Sequence, residues 1–155
     1  MLSLVPAPDP RHVFDAWIDV APPWEVGATA AGERRIIAIT GGRVEGPALS
    51  GTVVAGGADY QTIAPGGTTH LHARYAVETE AGERVYVENT GIRAGSAEAL
   101  ERLRQGLPVD PSLIYFRTAP RFETAAPRLA WMTTTLFVAC GRRTPDQVQL
   151  SVFSI

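Results

Sequence analysis

The glycine-rich segment at residues 41–61 constrains the fold more than any other part of the sequence. It carries two Gly-Gly pairs, at positions 41–42 and 56–57, which interrupt short pieces rich in valine. Glycine pairs inside strand-forming sequence are typical of places where a sheet bends sharply or another backbone approaches closely. Glu45 and Asp59 each stand beside such a pair, where we expect a side chain to be held at the rim of a sheet. The segment therefore predicts strongly bent β-strands with polar groups near the bends.

The remainder of the chain adds short segments with strand periodicity and one helix. The glycine-rich segment predicts either one long bent strand or two short ones, around residues 43–49 and 51–54. The other predicted strands are residues 11–20, 33–40, 59–63, 69–79, 84–92, 114–122, 129–140 and 147–153. Ser96 and Gly106 provide start and stop signals for a single helix at residues 97–105. Residues 1–155 fit one domain, with the proline-rich residues 1–10 as a loose N-terminal arm.

Nearly every connection between these segments has the length of a hairpin loop. Successive short antiparallel strands form a meander, and about eight of them usually close into a barrel because closure removes exposed edges. We therefore predict an all-β protein, a single antiparallel up-and-down β-barrel of about eight strands with one short helix. A β-sandwich is the alternative.

Composition excludes several classes of function. Basic and acidic residues nearly balance at 14 and 16, with a pI of about 5.9, which argues against a nucleic-acid-binding surface. The chain has no lysine, so Schiff-base chemistry is excluded.

Cys140 is the only cysteine and lies in an apolar run, where we expect a buried, inert thiol. The N-terminus lacks the features of a signal peptide and no apolar run reaches membrane-spanning length, so we expect a cytoplasmic protein.

Residues 69–79 show the cleanest alternation in the chain. Leu71, Tyr75 and Val77 share one face, while four polar side chains share the other; these are His70, His72, Arg74 and Glu78. The polar face fits either a solvated outer surface or the lining of a barrel lumen, where ionisable groups would meet a ligand. In the second case the apolar face would point outward and need cover, which predicts a homodimer.

The same face permits a metal site. His70-x-His72 followed by Glu78 is similar to the His-x-His…Glu pattern of cupins, but the spacing to the glutamate is too long and the second cupin motif is absent. A metal-dependent, cupin-like enzyme using His70 and His72 is therefore one functional hypothesis, and it ranks behind the two that are given at the end of this subsection.

A second candidate region contains Tyr115, Arg117 and, at the expected start of the next strand, Trp131. These side chain types can frame a planar or anionic ligand by stacking and bidentate hydrogen bonding. The alternative is that the aromatic residues belong to the core.

Several of these pieces, taken together, resemble the bacterial and fungal family known as domain of unknown function 3237. The matching pieces run in family order across residues 14–155, and they are Gly41-Gly42 with Glu45-Gly46-Pro47, Gly56-Gly57-Ala58-Asp59-Tyr60, Ala73-Arg74-Tyr75, Asn89-x-Gly91 with Arg93, Tyr115-Phe116-Arg117-Thr118 with Phe122-Glu123, and Trp131. The resemblance implies an antiparallel β-barrel. Some fungal members resemble chalcone isomerases, which close a ring by intramolecular addition to an enone without a cofactor. This chain has His72 where the family usually has Asp, and Thr133 where it often has Asn.

The function predicted from these observations is small-molecule binding by the barrel. The first hypothesis is a cofactor-free isomerase, cyclase or lyase that acts on an aromatic or enone-type metabolite by acid–base catalysis, and the second is a non-catalytic carrier. Partners of other kinds, nucleic acid and membrane included, are not expected.

We place the predicted site around Asp59, His72 and Arg74. Arg74 would stabilise a developing anion, and Asp59 or His72 would transfer the proton. The predicted substrate-binding residues around them are Glu45, Tyr60, Asn89, Tyr115, Arg117 and Trp131. The alternative is that Asp59 and Arg74 form a structural ion pair that merely ties two strands together.

Overall fold

The computed structural model describes residues 4–155 and consists mainly of nine antiparallel strands. The strands are β1 (Arg11–Val20), β2 (Trp24–Thr29), β3 (Gly32–Glu45), β4 (Gly51–Ile63), β5 (Thr69–Thr79), β6 (Arg84–Gly95), β7 (Ile114–Thr124), β8 (Phe137–Arg143) and β9 (Gln147–Ser154). One α-helix, α1 (Ala97–Arg104), follows β6, and two 3₁₀ turns lie at Pro111–Leu113 and Pro127–Thr133.

Eight of the strands close into a barrel. The strand order is β1-β9-β8-β7-β6-β5-β4-β3-β2, and β1 also pairs with β3, which completes the ring. β2 is an additional strand that pairs with the first part of β3 outside the ring. The predicted antiparallel up-and-down barrel is confirmed. β2 was not predicted, because Pro22-Pro23 indicates the end of a strand and the segment that follows is mostly exposed.

The two Gly-Gly pairs lie where the barrel wall bends. β3 and β4 pair in two stretches separated by a register shift between Ala38 and Arg43. A Cβ atom on Gly42 would lie 2.1 Å from the carbonyl oxygen of Trp17, and one on Gly57 would lie 2.4 Å from that of Arg74. Neighbouring backbones thus approach too closely for any side chain. The glycine-rich segment accordingly forms two long bent strands rather than several short ones.

The inner face of the barrel is its apolar face. On β5, Leu71, Tyr75 and Val77 point inward and are buried, whereas His70 and Arg74 point outward and are exposed. The hypothesis that the polar face of β5 lines the lumen is therefore wrong, since burying the apolar side chains inside the ring is strongly favourable. These apolar side chains need no cover from a second subunit, so that reason for a homodimer does not hold; a homodimer itself stays a prediction.

The two ends of the barrel are closed differently. At one end, Leu129 and Met132 of the second 3₁₀ turn are fully buried in the apolar core. The expected strand at residues 129–140 is thus wrong for residues 129–136, because β8 begins only at Phe137. Pro127 starts the turn, and the hydroxyl groups of Thr134 and Thr135 donate hydrogen bonds to the carbonyl oxygen of Trp131, so this segment does not continue as a strand.

At the other end, α1 covers the opening with Leu100, which is buried. The predicted cap is confirmed: the Ser96 hydroxyl accepts a hydrogen bond from the Ala99 amide at 3.1 Å. Gly106 follows the helix with a positive φ of 74°. Within residues 4–155, no helix combines the length and apolar character needed to cross a bilayer.

Cys140 lies on the outside of the barrel. Its neighbours Ala139 and Gly141 face inward on β8, so the alternation of the strand places Cys140 outward, where it is exposed. The expectation of a buried cysteine was wrong because the apolar run around it covers both faces of the strand.

Candidate functional site

A group of polar side chains occupies the lumen at the end covered by α1. Polar residues are rarely buried in such numbers at the end of an apolar core. The group, called the lumenal polar cluster below, consists of Arg35, Asp59, Gln61, Asn89, Arg93, Thr118 and Arg143.

Strand register explains why these side chains meet. Arg35 pairs with Gln61, Gln61 with Leu71, and Leu71 with Gly91, which pairs in turn with Thr118. This makes one inward-facing row around the wall.

A second row lies deeper in the lumen and a third lies nearer α1. Asp59 and Asn89 both pair with Ala73 in the deeper row, and Arg93 pairs with Thr69 and Phe116 in the row nearer α1. Successive rows are about 6–7 Å apart, so the cluster spans about 13 Å of the lumen.

A chain of hydrogen bonds holds Asp59 in place. The Arg35 Nε atom donates to Gln61 Oε1 at 2.7 Å, and Gln61 Nε2 donates to Asp59 Oδ2 at 2.7 Å. The backbone amide of His72 donates to Asp59 Oδ1 at 3.0 Å. Both carboxylate oxygens of Asp59 are therefore oriented, and the side chain is fixed against the wall between β4 and β5.

Burial shifts the pKa values of the ionisable groups in the cluster so that their charged forms are disfavoured. Burial raises the pKa of Asp59 above its ordinary value, although the hydrogen bonds from Gln61 and His72 partly oppose that shift. Burial and the neighbouring charges of Arg35 and Arg143 lower the pKa of Arg93 to about 10. Arg93 still remains charged at neutral pH. The cluster therefore combines a carboxyl group that resists ionisation with an excess of positive charge.

Four side-chain atoms of the buried interior and its rim have no hydrogen-bond partner within residues 4–155. They are Asn89 Oδ1, Arg93 Nη1, Thr118 Oγ1 and Arg143 Nη1. Buried polar atoms without partners are rare in folded proteins and destabilise them. All four belong to the lumenal polar cluster, which makes this part of the molecule the candidate functional site.

Residues of the cluster line two cavities. An inner cavity of about 40 Å³ is lined by Asp59, Asn89 and Thr118 together with apolar side chains of the barrel. An outer cavity of about 230 Å³ lies beneath α1 and is lined by Arg35 and Arg93. Arg143 lines both cavities, so its side chain lies between them.

The other two residues of the predicted catalytic centre lie outside the barrel. His72 Nε2 lies 2.8 Å from Glu88 Oε1, and Arg74 Nη2 lies 4.0 Å from the same oxygen. Since Asp59 faces inward from the neighbouring strand, the wall separates it from the side chains of His72 and Arg74. Neither the shared site nor the alternative Asp59–Arg74 ion pair is formed.

The histidines of the cupin-like hypothesis also face outward, away from the lumen. His70 is exposed, and His72 contacts Glu88 rather than a second histidine. Across the described residues, no three His, Cys, Asp or Glu side chains come together as a metal-binding group. The pattern His70-x-His72 reflects two outward positions of one strand.

The predicted substrate-binding residues divide in the same way. Asn89 lies in the lumen beside Asp59. Tyr60 and Tyr115 point outward, and the Arg117 guanidinium lies 5.3 Å from the Tyr115 ring on that outer surface.

The other two of these residues lie away from the lumenal polar cluster. Glu45 is exposed at the end of β3 beside Arg43. Trp131 lies at the opposite end of the barrel, with its ring centroid 5.8 Å from that of Phe137.

Sequence reasoning missed the three arginines Arg35, Arg93 and Arg143 as site residues. The signal was present: Arg93 follows Val85, Val87 and Asn89 at two- and four-residue intervals, so it shares the inward face of β6. A charged residue in phase with buried apolar residues is stronger evidence for a lumenal site than charges in phase with one another.

The fold and the cluster together define a small closed β-barrel with an arginine-rich polar cluster at one end of its lumen. The sequence profile of the family described as "Protein of unknown function (DUF3237)" matches residues 8–155. The chain belongs to this family. A UPF0311 protein of Rhodopseudomonas palustris is 43% identical over 152 residues, covering 98% of this chain and 99% of that protein. One from Clostridium acetobutylicum is 40% identical over 146 residues, covering 94% and 92% of the two chains.

Solved structures agree with the barrel. The crystal structure of a Rhodopseudomonas palustris protein of unknown function superposes with a TM-score of 0.91 at 43% identity, covering 97% of this chain and 99% of that one. A "beta-barrel like protein" from Acinetobacter baumannii gives 0.85 at 37% identity, covering 98% and 99%. A structure described as an enzyme from Penicillium herquei gives 0.72 at 20% identity, covering 99% of both chains, and that likeness shows the shared fold alone.

Proposed function

We propose that the lumen binds a small organic molecule and that Asp59 transfers a proton on it, so that the protein acts as a cofactor-free isomerase, cyclase or lyase. The observation that carries the proposal is the buried carboxyl group of Asp59. It is oriented through both oxygens, has a raised pKa and faces a cavity beside unpaired polar atoms. A group whose pKa is moved towards neutrality and whose direction is fixed suits general acid–base catalysis.

The rest of the lumenal polar cluster suits the other half of such a reaction. When an oxygen adds to the β-carbon of an enone, negative charge develops on the carbonyl oxygen of the resulting enolate. Arg143 and Thr118 line the inner cavity, and the donors Arg143 Nη1 and Thr118 Oγ1 have no partner among residues 4–155. Preorganised donors in a dry site stabilise such charge effectively. Burial raises the pKa of Tyr75, so its hydroxyl remains a neutral donor on the same lumenal face.

The proposed proton transfer balances without a redox partner. In its ionised form, Asp59 accepts a proton from a hydroxyl group, and the freed oxygen adds to the β-carbon of an enone. Asp59 then returns the proton to the α-carbon of the resulting enolate, which regenerates the carboxylate. The product is an isomer of the substrate. The aromatic or enone class of substrate follows from the family resemblance together with the apolar inner wall.

A direct test uses 2′-hydroxychalcone and related phenolic enones in D₂O. Molecules that raise the melting temperature are incubated with the protein and analysed by mass spectrometry, and enzymatic ring closure should add one deuterium at the α-carbon. Asp59→Asn should remove the labelling. If bound molecules stay unlabelled and unchanged, the barrel is a carrier. If Asp59→Asn labels at the wild-type rate, the catalytic role of Asp59 is wrong.

A further inference from the structure

We infer that the α1 end of the lumen is an oxyanion site, in which Arg93 and Arg143 bind a carboxylate group of the ligand. The inference rests on the proposed binding of a small molecule in the lumen, but not on turnover. It specifies which chemical group the ligand carries at the end that lies beneath α1.

Charge is the first reason. The lumenal polar cluster contains three guanidinium groups and one carboxyl group, Asp59, whose charged form is disfavoured by burial. The other carboxylates around the cluster are Glu101 of α1, which lines the outer cavity, and Glu25, Glu33 and Asp146; Glu33 is half-buried and the other three are exposed. Glu25 and Glu33 already interact with Arg104 of α1. The buried positive charge is therefore compensated only in part, which favours an anionic ligand.

Unpaired donors are the second reason. Arg93 is 3% exposed and its Nη1 atom has no partner among residues 4–155; the same is true of the buried Nη1 atom of Arg143. Arg35 differs, because its Nε atom already donates to Gln61. Two free guanidinium donors at one cavity match the two oxygens of a carboxylate, since arginine binds such planar groups with directed hydrogen bonds.

Position within the lumen is the third reason. Arg93 and Asn89 are four residues apart on the inward face of β6, so their backbones are separated by about 13 Å. Arg93 lines the outer cavity, Asn89 lines the inner one, and Arg143 lines both. A ligand with its carboxylate at Arg93 and Arg143 can extend its other end towards Asp59 and Asn89. The unpaired Asn89 Oδ1 atom is an acceptor, which suits a hydroxyl group at that inner end.

The number of free donors favours a carboxylate over a phosphate ester. A carboxylate presents two oxygens in one plane, which matches the two Nη1 atoms of Arg93 and Arg143 that lack partners among residues 4–155.

Three commercially available probes distinguish a carboxylate site from a phosphate site and from a site without charge preference: benzoate, phenyl phosphate and the uncharged benzamide. Binding is measured by calorimetry and by the shift in melting temperature at constant ionic strength. We expect benzoate to bind and to stabilise the protein, and benzamide to bind at least about tenfold more weakly, because charge-assisted hydrogen bonds to arginine would be lost. Tighter binding of phenyl phosphate would assign a phosphate site and overturn the carboxylate inference.

Variants locate the site. Arg93→Gln and Arg143→Gln should each weaken benzoate binding by about tenfold or more, while Arg117→Gln, on the outer surface, should leave it unchanged. Arg93→Lys retains the positive charge but lacks the paired N–H donors of the guanidinium group, so it should give an intermediate affinity. The comparison of benzoate with benzamide uses the wild-type protein, so it remains decisive if a variant fails to fold.

The outcomes separate this inference from the proposed function. Equal binding of benzoate and benzamide, or an equal loss in Arg117→Gln, overturns the oxyanion site even if phenolic enones are converted in D₂O. Selective benzoate binding that depends on Arg93 and Arg143 supports the site even if no enone is converted.

Discussion

Two polar clusters lie on opposite sides of the same barrel wall. The outer one joins His72, Arg74 and Glu88, and its members are partly exposed and paired with one another. The inner one, the lumenal polar cluster, is mostly buried and leaves four polar atoms without partners in the part of the chain that the structure describes. The two use similar residue types on adjacent strands. What distinguishes a candidate binding site is therefore the unpaired state of buried groups rather than the presence of ionisable ones.

Catalysis should show the largest difference between the two clusters. Replacing Asp59 by Asn should lower the rate of deuterium incorporation by about 10²–10⁴-fold, because a general acid–base group is lost. His72→Ala should leave the rate unchanged, since only the backbone amide of His72 reaches Asp59. Initial rates measured on an enone that the wild-type protein converts test both variants, with melting temperatures as the control for folding. An equal loss in both variants would contradict the separation of the two clusters.

Stability should show the next largest difference. Arg93→Met removes a buried charge that lacks full compensation, and we expect the free energy of unfolding of the ligand-free protein to rise by about 1–3 kcal/mol. Arg74→Met on the outer wall should change it very little, because exposed ion pairs contribute little. Urea unfolding followed by circular dichroism measures both. A strong destabilisation by Arg93→Met would mean that Arg93 serves the fold rather than a ligand.

The pH dependence of stability should differ in sign between the inner and outer carboxyl groups. The pKa of Asp59 is raised in the folded state by burial, so stability falls as pH rises from the ordinary pKa of 3.8 through the folded value. The pKa of Glu88 is lowered, mainly by the hydrogen bond from His72, so its contribution is present above the ordinary pKa of 4.5 and is lost as pH falls through the folded value.

Two variants separate these contributions. Asp59→Asn should remove the fall in stability on the alkaline side of pH 3.8, and Glu88→Gln should reduce the loss on the acid side of pH 4.5. Melting temperatures recorded from pH 3 to pH 8 provide the measurement. Curves that change in the same direction in both variants would show that the two carboxyl groups occupy similar environments.

Local periodicity was sufficient to predict the barrel. Alternation in residues such as Leu71, Tyr75 and Val77 defined the two faces of β5, and the glycine pairs predicted the bends in β3 and β4. The barrel then follows from short hairpin connections and the exclusion of open edges.

The site was only partly predictable. Asp59 and Asn89, both named from the sequence, line the same inner cavity, whereas His72 and Arg74 were chosen because polar residues in phase suggested a common site. Whether the polar face of β5 lies in the lumen depends on which face of the strand the closed ring buries. The ring buries the apolar face of β5, so the polar face points outward. Arg143 could not be assigned from the sequence, because β8 is short and a charged residue at the end of a strand usually extends into solvent.

The central claim is that the lumen, and not the outer wall, binds the ligand. A crystal structure of the protein with 4-hydroxybenzoate tests it most directly. We predict density in the lumen, with the carboxylate within hydrogen-bond distance of Arg93 Nη1 and Arg143 Nη1 and the hydroxyl group directed towards Asn89. A molecule bound instead on the outer wall beside His72 and Arg74, with the lumen unchanged at saturating concentration, would contradict the claim.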